Sequence, residues 1–224
     1  MSAQTVVHLM RHGEVHNPDG VLYGRMPGFL LSDLGLKMAQ KVADTVGDRD
    51  ITYVVASPLE RAQQTAQPLA DCRGLEVATD DRVIESANIF QGEGFGPGAR
   101  PLRRPAAWRH LWNPFTPSWG EPYVDIVDRM MAAVSAAREA ARGHEAVIVS
   151  HQLPIWVTRL HTEQRRFVHH PKRRQCTLCS LTSLHFEDDT LRRVTYSEPA
   201  GDMIPTRARQ DPFSAGGSVE GQRG

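Results

Sequence analysis

Along the chain, short continuous apolar runs alternate with longer stretches whose apolar residues recur about every fourth position. The first kind suits strands buried on both faces, the second amphipathic helices. Thr5 to Met10 predicts a buried strand. Ser32 predicts a cap on a helix from Asp33 to about Val46, where Leu34, Met38 and Val42 share a face. Ile51 to Ala56 is a second strand. Ser57-Pro58-Leu59-Glu60 has the form of a capping box with proline at the first helical position. The helix it opens runs through Ala62, Ala66 and Leu69 to Gly74, and Leu75 to Thr79 is a third strand candidate.

From Ser86 to Gly120 the periodicity fails, and glycine, proline, arginine and tryptophan follow no repeat. Loops this long inside compact domains are functional or disordered, so 86–120 reads as an irregular insertion with the character of a lid. Regularity returns at Val124, where Val127, Met130 or Met131, Val134 and Ala137 mark a helix face, with Met130-Met131 as core. Glu145 to Val149 predicts a fourth strand and Pro154 to His161 a further helix. Cys176 to Phe186 and Leu191 to Ser197, joined by Glu187-Asp188-Asp189-Thr190, predict a hairpin. Residues 205–224 are polar and Gly/Pro-rich and read as a disordered tail behind one domain, 1–204. Alternating strands and helices imply an α/β fold, a three-layer α/β/α sandwich with a largely parallel central sheet.

Composition narrows the partners. The 224 residues carry 26 Lys+Arg against 26 Asp+Glu, for a net charge of zero. That argues against bulk nucleic-acid or anionic-membrane binding. The run from Arg165-Arg166 to Lys172-Arg173-Arg174 reads as a solvated basic face, with a polyanion-binding module as its rival. Three cysteines, Cys72, Cys176 and Cys179, give no disulfide framework. Cys176 and Cys179 read as buried strand residues rather than as a zinc or redox pair. No apolar run approaches the ~20 residues of a membrane span, and no secretory pattern opens the chain. A soluble cytoplasmic protein is expected.

In open α/β sheets, ligands gather beyond the carboxyl ends of strands. Arg11 and His12 follow the first strand, Ser57 and Arg61 the second, Glu85 the third, and Ser150 and His151 the fourth. Ser57 reads as a helix cap and nothing more. Two arginines, two histidines and a carboxylate suit phosphoryl transfer, which depends on fixed cations around the transferred oxygens. Arginine donates paired hydrogen bonds to phosphate. A neutral imidazole can attack phosphorus, and adjacent arginines favour its neutral form. A nearby carboxylic acid can protonate the leaving oxygen. Arg61 lies one turn inside a helix start, where the macrodipole disfavours cations but welcomes a bound anion.

These blocks resemble the histidine phosphatase superfamily, which includes the cofactor-dependent phosphoglycerate mutases. Leu9-Met10-Arg11-His12-Gly13-Glu14 is similar to its Arg-His-Gly signature, Ser57 to Ala66 to its second block, and Val149-Ser150-His151 to its second histidine block. The resemblance covers roughly residues 5 to 200. It implies a phosphoglycerate mutase-like fold, His12 as phosphorylated nucleophile, Arg11, Arg61 and His151 as the phosphate pocket, and Glu85 as proton donor. It further implies Asn17 and Gly24 as substrate-binding residues, and neither metal nor cofactor. Val15 stands where relatives carry Ser or Thr, and Gln152 where many carry glycine. The expected function is a metal-independent phosphatase acting on a small phosphorylated metabolite. The rivals are mutase-type phosphoryl transfer and a non-catalytic protein that only binds a phosphate ligand. The Arg/Trp-rich segment 100–119 reads equally as a solvated loop or as a lid that grips substrate.

Overall fold

The computed structural model describes residues 2–88, 91–92, 120–167 and 174–204. The expected tail, most of the irregular insertion with its segment 100–119, and 168–173 of the basic run lie outside the described residues. Six strands form one sheet: β1 (Gln4–Arg11), β2 (Ile51–Ala56), β3 (Val77–Thr79), β4 (Glu145–Ser150), β5 (Leu181–Glu187) and β6 (Thr190–Ser197). Their order is β3-β2-β4-β1-β5-β6. β1 to β4 run parallel to one another, β5 is antiparallel to β1, and β6 is antiparallel to β5. The sheet is therefore mixed and mostly parallel, as expected.

Helices cover both faces. α1 (Asp33–Val46) and α2 (Glu60–Arg73) bury Met38, Val42, Ala62, Ala66 and Leu69 against Met10, Val54, Ala56, Val147 and Val149. α3 (Tyr123–Ala140) and α4 (Gln152–Thr162) bury Ile126, Met130, Val134, Ile155 and Val157 against Val7, Leu9, Val55, Ala146 and Ile148 on the other side. β1 and β4 thus send successive side chains into two different cores, which is why their sequences are continuous apolar runs. Each fully buried Val, Leu, Ile or Met contributes about 1.5–3 kcal/mol.

Several local expectations need correction. α2 begins at Glu60, with Leu59 at the cap position and no side-chain cap bond, so Pro58 precedes the helix and no capping box forms. β3 starts at Val77 because Leu75 N–H closes the end of α2 on the Ala70 carbonyl, with Gly74 left-handed at φ 64°. Cys176 to Ser180 is a turn rather than strand, and Cys179 has φ 54°. Both cysteines are buried there, and burial pushes the Cys176 thiol up to about 11 and the Cys179 thiol up to about 12. The expected hairpin forms with Asp188-Asp189 as its two-residue connection.

Two polar contacts tie the layers. Ser32 Oγ accepts from Gly35 N–H at 3.0 Å, capping α1, and donates to Glu14 at 2.6 Å. Such a cap contributes about 1 kcal/mol. At the opposite end of the sheet, Glu145 accepts from His8 Nε2 at 2.9 Å and from Nε and Nη2 of Arg49 at 2.6 and 2.9 Å. Burial alone would raise the Glu145 pKa, but these bonds outweigh it and hold it at about 2, below its usual 4.5.

Gly35 allows a close approach. A Cβ there would collide with the Glu14 carbonyl, and a Cβ on Gly13 would lie 2.8 Å from the Gly35 carbonyl. Both contacts are with backbone, so neither neighbour can swing aside. Gly35→Ala is expected to destabilise the fold by about 2–3 kcal/mol in urea titration; a loss below 0.5 kcal/mol would contradict the contact. Glu145 stabilises the fold above its unfolded pKa, and that contribution fades as pH falls from about 4.5 towards 2. Glu145→Gln should cost roughly 1 kcal/mol at neutral pH and flatten stability across that window, which urea midpoints at stepped pH would register.

Candidate active site

The sheet register assembles the site. Arg11 pairs with Ser150 between β1 and β4, and Ala56 pairs with Val149 between β2 and β4. The residues just beyond these pairs therefore emerge side by side. His12 N–H donates to the Ser150 carbonyl at 3.1 Å, and Ser57 N–H donates to the Val149 carbonyl at 2.9 Å. The His12 and His151 ring centroids lie 5.2 Å apart.

Hydrogen bonds fix what each ring can do. His12 Nδ1 donates to the Gly13 carbonyl at 2.8 Å, which leaves Nε2 with a free lone pair. His151 faces Arg61 Nη2 through Nδ1 at 3.5 Å and Ser57 Oγ through Nε2 at 2.8 Å. A guanidinium can only donate, so Nδ1 is the accepting nitrogen and Nε2–H donates to Ser57. Burial, then the charges of Arg61 and Arg11, hold the His12 pKa well below 6.5. Burial, Arg61, His12 and Arg11 do the same for His151.

Arg61 is the second residue of α2 and is wholly buried. Its Nη2 donates to the Gly24 carbonyl at 2.6 Å, and its guanidinium lies 4.7 Å from the centroid of Tyr23, which stacks on Phe29. Its Nε and Nη1 are buried without a partner. Arg11 donates from Nη1 to the Cys176 carbonyl at 2.8 Å, and its Nε is likewise buried and unpartnered. Neither arginine has a carboxylate within ion-pair distance among the described residues. Burial lowers the Arg61 pKa, opposed by Tyr23, Glu85 and Glu60. Buried donors of this kind are costly. Three of them beside a neutral imidazole lone pair form a receptor for an oxyanion.

The other candidates take different places. Glu85 follows the 3-10 turn Asp81–Val83, and its Oε1 accepts from Ser86 N–H at 2.8 Å. Its charge acts on both Arg61 and Tyr23, which puts the carboxylate on their side of the sheet edge without a direct bond to either. Asn17 is buried, and its carboxamide bonds both backbone groups of Val21 at 2.9 and 3.0 Å, shaping the loop after β1. Gly24 contributes its carbonyl to Arg61. Arg174, from the segment before β5, has its pKa lowered by burial, and Tyr123, Glu85, Cys176 and Arg11 act on it. Sequence reasoning overlooked Tyr23 and dismissed Ser57. A serine ending one parallel strand opposite a histidine ending its neighbour was the available signal for Ser57. Tyr23 carried none.

A mostly parallel sheet with buried, unpaired arginines and two neutral histidines at its carboxyl edge defines a phosphate-handling α/β protein. The chain belongs to the histidine phosphatase superfamily (branch 1), whose sequence profile matches residues 7–199. It is 56% identical over 200 residues to an uncharacterized protein of Mycobacterium tuberculosis H37Rv, covering 89% of this chain and 99% of that one. It is 28% identical over 207 residues to a probable phosphoglycerate mutase of Yersinia pestis, covering 88% and 92%. Among solved structures it resembles a mycobacterial glucosyl-3-phosphoglycerate phosphatase in complex with VO3. The TM-score there is 0.66 at 26% identity, covering 86% of this chain and 97% of that one. Phosphatases and mutases thus both stand among its relatives.

With both rings held below 6.5, the unfolded chain takes up protons that the folded rings refuse as pH falls through that value. Stability should therefore decline below about pH 6.5. In imidazole NMR spectra both rings should remain neutral at pH 6.5; a midpoint at or above that pH for either would contradict the site as described.

Proposed function

We propose that the chain is a phosphoric monoester hydrolase that works through a phosphohistidine on His12. The observation that carries this reading is the set of buried, unpartnered donors on Arg11 and Arg61 beside the free lone pair of His12. A phosphoryl group supplies the acceptors those donors lack. His12 Nε2 attacks phosphorus as the ester P–O bond breaks, and Glu85 gives a proton to the leaving oxygen. Arg11 and Arg61 hold the remaining oxygens, joined by His151 once its Nε2–H turns from Ser57 Oγ to the phosphoryl group. Glu85, now a carboxylate, takes a proton from water as its oxygen attacks phosphorus. The P–N bond breaks, releasing inorganic phosphate and restoring His12. Cationic stabilisation comes from side chains, so the cycle calls on no metal or cofactor, and the partner is a small phosphorylated metabolite. A neighbour that is by name a glucosyl-3-phosphoglycerate phosphatase, solved with an oxyanion, supports the hydrolytic reading.

The mutase reading rests on the 28%-identical relative that carries that name, and one experiment separates the two. Phosphate release from p-nitrophenyl phosphate and a panel of metabolite esters is measured in EDTA for the protein and for His12→Ala. Release should survive EDTA and fall at least about 10³-fold in the variant. Equal release from both proteins would sink the phosphohistidine route. Phosphoryl exchange between 2- and 3-phosphoglycerate that outruns hydrolysis would replace the hydrolase with the mutase.

A further inference from the structure

Glu85 stands on a segment with no ladder to hold it. Beyond the turn Asp81–Val83 the backbone joins no strand until the isolated pairing of Asn88 with Gly120. Its carbonyls are nevertheless bound. Arg129 Nη1 donates to the Arg82 and Ile84 carbonyls at 2.6 and 2.7 Å. Arg25 Nε donates to the Glu85 carbonyl at 2.6 Å, and Glu121 N–H donates to the Ala87 carbonyl at 3.2 Å. Two guanidinium groups from different parts of the chain thus grip the main chain of Glu85 and of the residue before it.

One carboxylate lies between them. Glu121 Oε2 accepts from Arg25 Nη2 at 2.8 Å and from Arg129 Nη2 at 3.2 Å, while its Oε1 accepts from Arg129 Nε at 2.7 Å. Without that negative charge the two arginines would repel each other. Arg25, whose side chain keeps 34% of its exposure, would be free to turn to solvent. Arg25 also follows Gly24, whose carbonyl receives Arg61, so the same clamp joins the acid segment to the oxyanion pocket.

We infer that Glu121 is a positioning residue for Glu85: by pinning Arg25 and Arg129 it sets where the proton donor stands relative to the phosphate pocket. It touches no reacting atom. A carboxyl group on a loop delivers a proton efficiently only when its support is rigid. This inference rests on the hydrolase reading, in which Glu85 protonates the leaving oxygen.

Leaving-group dependence provides the test. Dinitrophenolate departs without a proton, whereas the alkoxide of glycerol phosphate needs one. Values of kcat/KM, which report phosphoenzyme formation, are measured with both esters. Glu121→Gln should lose roughly 10- to 100-fold on glycerol phosphate, and at least about tenfold less on dinitrophenyl phosphate. Arg25→Lys keeps the charge at a partly exposed position but removes the donor to the Glu85 carbonyl, so it should show the same selectivity. It also carries the test should Glu121→Gln fail to fold. In a Glu85→Gln background, Glu121→Gln should add less than about threefold. Equal losses on both esters, or effects that multiply in the double variant, would overturn the positioning role while leaving a His12-dependent phosphatase intact. A wild-type protein no more active than His12→Ala would overturn the hydrolase reading, and this inference with it.

Discussion

The arrangement of the site depends on one buried guanidinium. Arg61 is wholly enclosed, yet only one of its three nitrogens donates to a protein carbonyl. Its other neighbours are an aromatic face and a neutral imidazole nitrogen. Burying a charge with so little compensation costs several kcal/mol. A carboxylate beside it would remove that cost, and elsewhere in this chain arginines are so paired, as Arg49 is with Glu145 and Arg159 with Glu163. At the pocket no carboxylate among the described residues bonds Arg61 or Arg11, and three of their donors stay open. An anion placed there would supply the acceptors that those donors lack and recover part of the stability forgone at Arg61.

The same cation governs its neighbours. It lowers the pKa of both histidines after burial has begun the work, and its demand for an acceptor at His151 Nδ1 leaves Nε2–H for Ser57. On the other ring, the Gly13 carbonyl takes Nδ1–H and frees Nε2. Two identical side chains thus acquire opposite orientations, one presenting an open lone pair and the other an acceptor already engaged with a cation. Gly13 lies against Gly35 of α1, an approach that side chains larger than hydrogen would block. The loop that carries His12 is held by this backbone contact and by Thr65, which accepts from Gly13 N–H at 3.0 Å. Packing between a loop and two helices therefore becomes chemistry at one ring nitrogen.

How much of this was legible in the sequence follows the range of each interaction. Strands covered on both faces print as apolar runs, so β1, β2 and β4 could be located within a residue or so at each end. The placement of His12, Arg61, Glu85 and His151 beyond strand ends followed from the layered fold alone, while Arg11, expected after the first strand, is its last residue. Local readings failed where a residue's polar group has a partner that the pattern around it does not show. Ser57 has the local form of a helix cap, but its hydroxyl is engaged by His151, 94 positions away. Leu75 has strand character, but its N–H finishes α2. Asn17 bonds Val21 within its own loop, a structural role that the residues around it did not announce.

Charge placement around Glu85 extends that argument. Arg25 and Glu121 are separated by 96 positions and Glu121 and Arg129 by 8, and neither spacing is a helical one. Only the return of the chain to Gly120, opposite Asn88, brings them together at the rim. There the neutralising carboxylate sits outside the pocket, where it stabilises two arginines that hold backbone. Inside the pocket the arginines are left unneutralised. The fold thus sorts its cations into two populations with the same side chain and different duties. A carboxylate bonded to Arg61 or Arg11 would close their open donors, whereas the Glu121 carboxylate binds two arginines that hold the backbone around Glu85. Segregating positive charge from its counter-ions in this way lets a chain of zero net charge keep two buried guanidinium groups without an ion pair among the described residues.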